Sequence, residues 1–123
     1  MERGTYERFL EVQHIAPMTV VRFKHRTILD SAAIESIGEH LLHLAGEEGR
    51  RNFLLNFTGV ESLPSVMLGK FVALHHLLSD AGGQLAFCCV DPFLMEIFKI
   101  AQIHDRISIH TDEAQALQAL SGA

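Results

Sequence analysis

Two short, almost continuously apolar segments limit what this chain can fold into. They read NFLLNF at residues 52–57 and QLAFCCV at residues 84–90. A strand with one face in water alternates apolar and polar residues, whereas a strand of a parallel sheet covered by helices does not. The two segments therefore predict central strands that are buried on both faces, with helices packed against the sheet.

The rest of the chain alternates between strand and helix patterns. Residues 9–15 and 18–25 read as two strands joined by a tight turn, and residues 106–110 read as a last strand. Helices are predicted at four places, with these first residues: Asp30, Pro64, Asp91 and Asp112. The order β-β-α-β-α-β-α-β-α with right-handed crossovers predicts an α/β fold with a mixed, mostly parallel sheet. The 123 residues fit one domain over 1–123.

Charge and hydropathy exclude several classes of partner. The formal net charge is −5 and no basic face is visible, which argues against nucleic acid, because phosphate binding needs clustered Lys and Arg. No apolar run reaches the ~20 residues of a membrane span, and the first ten residues hold no signal-peptide core. We therefore expect no insertion into a membrane. Cys88 and Cys89 are adjacent and poorly placed to pair with each other, which favours a reducing, cytoplasmic location.

Metal binding and catalysis find little support in the sequence. Eight histidines are present, but His40 and His43, or His75 and His76, do not form a recognisable ligand set. No phosphate-binding GxxxxGK[ST] loop occurs, and the GxSxG frame of a nucleophilic serine is missing around Ser65. We predict no metal, no cofactor and no catalytic residue, hence a protein that is not an enzyme.

Ser65 stands at the junction between the apolar strand 52–57 and the helix near Pro64. A serine at a helix N-terminus can accept hydrogen bonds from free backbone N–H groups and so cap the helix. The same position also tolerates a phosphate group, because the positive end of the helix dipole favours an anion there. From the residues alone, Ser65 is either a helix cap or a modification site.

The order of these elements resembles the STAS domain, the fold of bacterial anti-sigma-factor antagonists, over nearly the whole chain. The segments that carry the resemblance are TILD (27–30), LNF (55–57), PSVMLG (64–69), AGGQLAFCCV (81–90), DPFLMEIFKI (91–100) and DEAQAL (112–117). The serine that a partner kinase phosphorylates in this family matches Ser65. Around it, Pro64, Val66 and Met67 replace the acidic residue, the second serine and the glycine of the family motif.

The resemblance implies a protein-interaction switch. In its unmodified form the protein would bind an anti-sigma factor of the serine-kinase type, and phosphorylation at Ser65 would release that partner. The alternative is a constitutive scaffold subunit, for example a partner of a transporter ATPase, in which Ser65 is not modified. A homodimer is left open.

Five residues are candidates for partner binding. Asp30 matches the family aspartate that lies near the modified serine. In the helix at 92–101, helical spacing predicts an inward stripe made of Leu94, Ile97, Phe98 and Ala101. Phe93 and Met95 are then left facing outward or sideways. Together with Met67 and Lys70 they are predicted to form one exposed apolar patch.

Overall fold

A computed structural model describes residues 9–24, 31–46 and 49–121, and over these ranges the elements follow the predicted order. The strands are β1 (Leu10–Ile15), β2 (Met18–Phe23), β3 (Asn52–Asn56), β4 (Gln84–Cys88) and β5 (Ser108–His110). The helices are α1 (Ser31–Gly46), α2 (Ser65–Asp80), α3 (Pro92–Ile100) and α4 (Glu113–Ser121), with a 3-10 turn at Ile103–Asp105. The predicted helix start at Asp30 lies outside the described residues.

All five strands are shorter than the sequence predicts, and the reason is visible for β4 and β5. β4 ends at Cys88 because Cys89 has a left-handed backbone, with φ 60°, which a continuing strand cannot contain. β5 begins only at Ser108, because the backbone N–H groups of Arg106 and Ile107 both bond to the carbonyl of Ile103. The end of β4 and the start of β5 are therefore each set by a local turn, although the apolar pattern of the sequence continues beyond them.

The five strands lie in the sheet in the order in which they occur along the chain. β1 and β2 pair antiparallel, while β2–β3, β3–β4 and β4–β5 pair parallel. The predicted mixed, mostly parallel sheet is thus confirmed. The main core lies on the face covered by α1, α2 and α3, and a smaller core lies under α4 on the opposite face.

The two apolar segments are buried on both faces, as predicted. Phe53 and Leu55 of β3 point into the main core, whereas Leu54 between them points into the core under α4. In β4, Phe87 points into the main core and Ala86 points into the core under α4. Because each of these side chains is fully buried, the sheet needs helices on both sides, and the chain supplies them.

Phe57, the residue that follows β3, is the centre of the main core. Its ring centroid lies 5.0 Å from that of Phe23, 4.8 Å from Phe87, 5.7 Å from Phe71 and 5.6 Å from Phe98. Three of these four pairs meet edge to face, the arrangement that aromatic rings favour. One side chain therefore connects β2, β4, α2 and α3.

A polar network attaches α4 to the opposite face. Arg22 of β2 donates from Nη2 to Glu113 Oε2 at 2.6 Å and from Nε to Glu113 Oε1 at 3.2 Å. Asn56 at the end of β3 donates from Nδ2 to Glu113 Oε1 at 2.7 Å. Both carboxylate oxygens are thus satisfied by partners that sit side by side in the sheet register. This pairing holds the first residue of α4 against the sheet.

Burial acts to raise the pKa of Glu113, but hydrogen bonds from Arg22 and Asn56 outweigh it, so the pKa lies below the usual glutamate range. A carboxylate with a lowered folded-state pKa stabilises the fold above its unfolded pKa, and this stabilisation is lost as the pH falls through the folded pKa. We expect Glu113→Gln to lower the free energy of unfolding by about 1–3 kcal/mol at neutral pH. The difference from the parent should shrink below about pH 4, which denaturant unfolding at several pH values would measure.

The matched control for this prediction is Glu96→Gln, which changes a glutamate whose side chain is 69% exposed. Its effect on stability should stay within about 0.5 kcal/mol at every pH. A loss in Glu113→Gln that is the same at pH 7 and at pH 3 would show that the Glu113 charge does not stabilise the fold.

Candidate functional site

Ser65 is the first residue of α2 and its side chain is exposed, as the sequence predicts. The N-cap is Pro64, which has an extended backbone (φ −72°, ψ 152°) and whose carbonyl accepts from the N–H of Met67 at 3.0 Å. Among the described residues, no side chain caps this helix end by a hydrogen bond. The interpretation of Ser65 as a helix cap is therefore wrong, because a side chain caps from the position before the first helical residue.

The loop that leads from β3 to Ser65 is held at its start. The Asn56 side-chain oxygen accepts from the N–H of Thr58 at 2.8 Å and from its hydroxyl at 2.6 Å, which closes a tight turn. Val60 is buried, and its N–H donates to the carbonyl of Phe57 at 3.0 Å. The core thus anchors this loop, and the position of Ser65 follows from the end of β3.

An apolar groove runs between α1 and α2, next to Ser65. We call it the α1–α2 groove; its cavity measures about 350 Å³ and it is lined by Gly38, Leu41, Leu42, Val66, Gly69, Lys70, Ala73 and Leu74. Two of the large apolar side chains that line it are exposed, Val66 by 55% and Leu42 by 44%. Ser65 does not line the groove itself, but its neighbour in the chain, Val66, does, so the groove reaches the end of α2 that carries Ser65.

Lys70 crosses the groove from α2 to α1. A Cβ placed on Gly38 would come within 2.9 Å of Lys70 Cδ, so the missing side chain of Gly38 makes room for the Lys70 stem. The Lys70 ammonium lies 3.7 Å from a carboxylate oxygen of Glu35. Lys70 is half-buried in this position, and it contributes a positive charge to one wall of an otherwise apolar surface.

The prediction that Met67 belongs to an exposed patch is wrong, because Met67 is fully buried. Met67, Phe71, Leu74 and Leu78 follow one another at helical spacing and form the inward face of α2. The exposed apolar residue at this helix start is instead Val66. The spacing of these four residues was visible in the sequence and could have identified both the buried and the exposed side.

Of the remaining partner-binding candidates, Phe93 and Met95 lie within the described residues and Asp30 does not. Phe93 in the first turn of α3 is 67% exposed, and Met95 is half-buried. Leu94 and Phe98 point inward as predicted, but Ala101 does not, since it follows the last helical residue and is exposed. Asp30 lies outside the described residues.

Ligand-type side chains do not converge on a metal site. Over residues 9–24, 31–46 and 49–121, no three His, Cys, Asp or Glu side chains are grouped so that they could hold an ion. The rings of His75 and His76 lie 5.5 Å apart, and burial together with the charges of His76 and Arg106 lowers the pKa of His75. Within the same residues, none of the helices has the length and apolar character that crossing a bilayer requires. What the site offers chemically is an accessible hydroxyl beside an apolar groove.

A family model described as the STAS domain matches residues 9–116. Among solved structures, an anti-sigma-factor antagonist (STAS) domain protein from Planctomyces limnophilus superposes with a TM-score of 0.82 at 23% identity, covering 91% of this chain and 97% of that chain. The anti-sigma factor antagonist SpoIIAA in its unphosphorylated form has a TM-score of 0.80 at 16% identity and covers 93% and 97%. The phosphorylated form of SpoIIAA, described as a Bacillus cell fate determinant, has a TM-score of 0.70 at 16% identity and covers 89% and 97%.

The same fold also occurs as part of a much longer protein. The murine anion transporter Slc26a9 matches with a TM-score of 0.72 at 14% identity, covering 98% of this chain but 20% of that chain. At these identities the solved structures show a shared fold.

The capping geometry leads to a direct test. Because Ser65 caps no helix end, Ser65→Ala should change the free energy of unfolding by less than about 0.5 kcal/mol. Asp91 supplies the contrast, since its carboxylate accepts from the N–H of Phe93 at 2.9 Å and caps α3, so Asp91→Ala should cost about 1 kcal/mol. Thermal or denaturant unfolding of both variants measures this, and an equal loss in the two would contradict the assignment of Pro64 as the N-cap of α2.

Proposed function

The chain belongs to the STAS domain family, and we propose that it is a non-enzymatic protein-interaction switch resembling an anti-sigma-factor antagonist. In this proposal the start of α2 and the α1–α2 groove bind a protein partner, either an anti-sigma factor or a serine kinase. Phosphorylation of Ser65 then releases the partner. The observation that carries the proposal is the exposed Ser65 at the start of α2, whose neighbour Val66 lines an apolar groove that the described residues leave uncovered.

A phosphate on Ser65 is compatible with the fold. The first N–H groups of a helix have no partner within the helix, and the dipole places partial positive charge at that end. A phosphoserine at the first helical position adds about −1.5 to −2 charges where these N–H groups can donate hydrogen bonds to the phosphate oxygens. Modification would therefore leave α2 folded and change only the surface that a partner meets.

The same phosphate is incompatible with an apolar partner in the groove. A partner that covers Val66 and Leu42 would exclude water from the neighbouring Ser65. Withdrawing a dianion from water without a countercharge is costly, so the modified protein and such a partner would separate. This asymmetry between the folded domain and its complex is what a switch requires.

The three residues that differ from the family motif, Pro64, Val66 and Met67, do not affect recognition by a kinase equally. Met67 is buried and cannot contact a kinase in the folded domain, so the replacement of glycine at that position affects only the core. Val66 is exposed and Pro64 is partly exposed, and these are the two flanking side chains that a kinase would meet. The proposal therefore implies a kinase that accepts apolar residues on both sides of the serine.

The alternative function is a constitutive STAS scaffold or subunit, such as a partner of a transporter ATPase. It is favoured by the replacement of the acidic residue and second serine of the family motif by Pro64 and Val66. The occurrence of this fold within an anion transporter is consistent with such a role. In this case the groove binds its partner permanently, and the chemistry at Ser65 has no effect on binding.

The two functions predict different results for substitutions at Ser65. The partner is first captured from native extract with the Ser65→Ala protein and then titrated against each variant. If Ser65 is the switch, Ser65→Ala should bind like the parent, and Ser65→Asp should bind about 10- to 100-fold more weakly, corresponding to roughly 1–3 kcal/mol. Melting curves should show that Ser65→Asp folds normally, because a carboxylate suits a helix N-terminus.

The matched control for the added charge is Ser79→Asp, at the exposed opposite end of the same helix. It introduces the same carboxylate away from the groove and should leave partner affinity unchanged. Equal affinities for Ser65→Ala and Ser65→Asp, with both proteins folded, would exclude the switch and favour the scaffold.

The groove can be tested separately from the serine. A Cβ added at Gly69 meets no atom within 4 Å, so Gly69→Gln should fold and, as a better helix former, gain up to about 1 kcal/mol of stability. Because Gly69 lines the groove, the longer side chain should nevertheless lower partner affinity, measured in the same titration. Gly46→Gln, at another uncrowded helical glycine outside the groove, is the control. Unchanged affinity in Gly69→Gln would place the partner elsewhere on the domain.

A further inference from the structure

An apolar stripe on α3 is only partly covered by the residues that the structure describes. Phe93, Ile97 and Ile100 are spaced at i, i+4 and i+7 and therefore lie along one side of the helix. Phe93 is 67% exposed and Ile100 81% exposed, while Ile97 between them is half-buried and packs in part against the main core. We call these three residues the α3 stripe. Single exposed apolar residues are ordinary, but an aligned set on one helix indicates an interaction surface.

The charges beside the stripe have a particular arrangement. At about 100° per residue, Glu96 and Lys99 both lie on the same flank of the line through Phe93 and Ile100. Their side chains are 69% and 51% exposed, and they approach each other only to 4.0 Å within the chain. One flank thus carries one negative and one positive charge, in that order along the helix.

This order is self-complementary when two copies of α3 meet antiparallel. In a two-fold antiparallel helix pair each flank faces the same flank of the other copy, with the direction reversed. Glu96 then faces Lys99 of the second copy, and Lys99 faces Glu96 of the second copy. In this register Phe93 and Ile100 of the second copy are offset by about 3 Å along the helix axis, which leaves their side chains within reach of each other. In a parallel two-fold pair this flank would instead face the opposite, uncharged flank of the other helix, so Glu96 and Lys99 would not meet across the interface.

We propose that the α3 stripe is a homodimer interface, in which a second copy of this chain docks its own α3 antiparallel about a two-fold axis. The two apolar contacts exclude water, and the two symmetric Glu96–Lys99 pairs select the orientation. The interface shares no residue with the α1–α2 groove or with Ser65.

The proposed dimer is weak. A single three-residue stripe offers much less than the ~800 Å² per partner of a standard stable interface. Each copy also carries a net charge of −5, so that the two copies repel each other at a distance. Association should therefore be concentration-dependent, with a dissociation constant on the order of 10–500 μM.

The first test is sedimentation equilibrium of the whole chain from about 10 μM to about 1 mM. The parent should shift from monomer to dimer over this range, and Ile100→Glu should weaken dimerisation at least about 10-fold. Ile100 is 81% exposed, so the variant should melt like the parent. Leu77→Glu, which places the same charge on an exposed leucine of α2, is the control and should dimerise like the parent. A parent that stays monomeric at the highest concentration, or an Ile100→Glu protein that dimerises normally, would overturn the proposal.

The second test addresses the orientation by charge reversal. Glu96→Lys and Lys99→Glu should each weaken the dimer, because each brings like charges together across the two-fold axis. The double variant restores opposite charges in an antiparallel pair and should recover the parent dissociation constant within about 3-fold. A double variant as weak as the single ones would exclude the antiparallel arrangement.

Discussion

The structure depends on two neighbouring residues at the end of β3, which anchor the two faces of the sheet. The Phe57 ring contacts four other rings and connects two strands with α2 and α3. One residue earlier, Asn56 bonds Glu113 and so helps to attach α4 to the opposite face. Because consecutive side chains of a strand point to opposite faces, a one-residue change of register here would exchange an aromatic ring and an amide between the two cores.

The candidate site is a consequence of this anchoring. Asn56 closes the turn that follows β3, and Phe57 and Val60 bury the first part of the loop. The chain then enters α2 with Pro64 as the N-cap, which leaves Ser65 as an exposed first helical residue. A rigid core therefore presents a serine hydroxyl at a helix N-terminus, where a phosphate can be added or removed without a cost to the fold.

Glycine positions on two helices create the groove beside the serine. Gly38 of α1 lets the Lys70 stem lie against it, and Gly69 of α2 leaves open space above the helix. The apolar wall of the groove remains uncovered within the described residues, and covering Leu42 and Val66 would remove apolar surface from water, which is favourable. The proposed partner surface and the α3 stripe thus lie on different helices, so a dimer and a partner complex use separate parts of the domain.

The sequence by itself determined the fold class, the element order and the two doubly buried strands, because apolar periodicity and helix start signals are local properties. It also located Ser65 at the start of α2 and, through the spacing of Phe71 and Leu74, contained the information that Met67 is buried. The tertiary structure alone decided the rest. Arg22 and Glu113 are 91 residues apart, and they meet only because parallel pairing places β2 beside β3 and α4 returns over that face. The groove likewise exists only where α1 and α2 pack, since no local pattern encodes the distance between two helices.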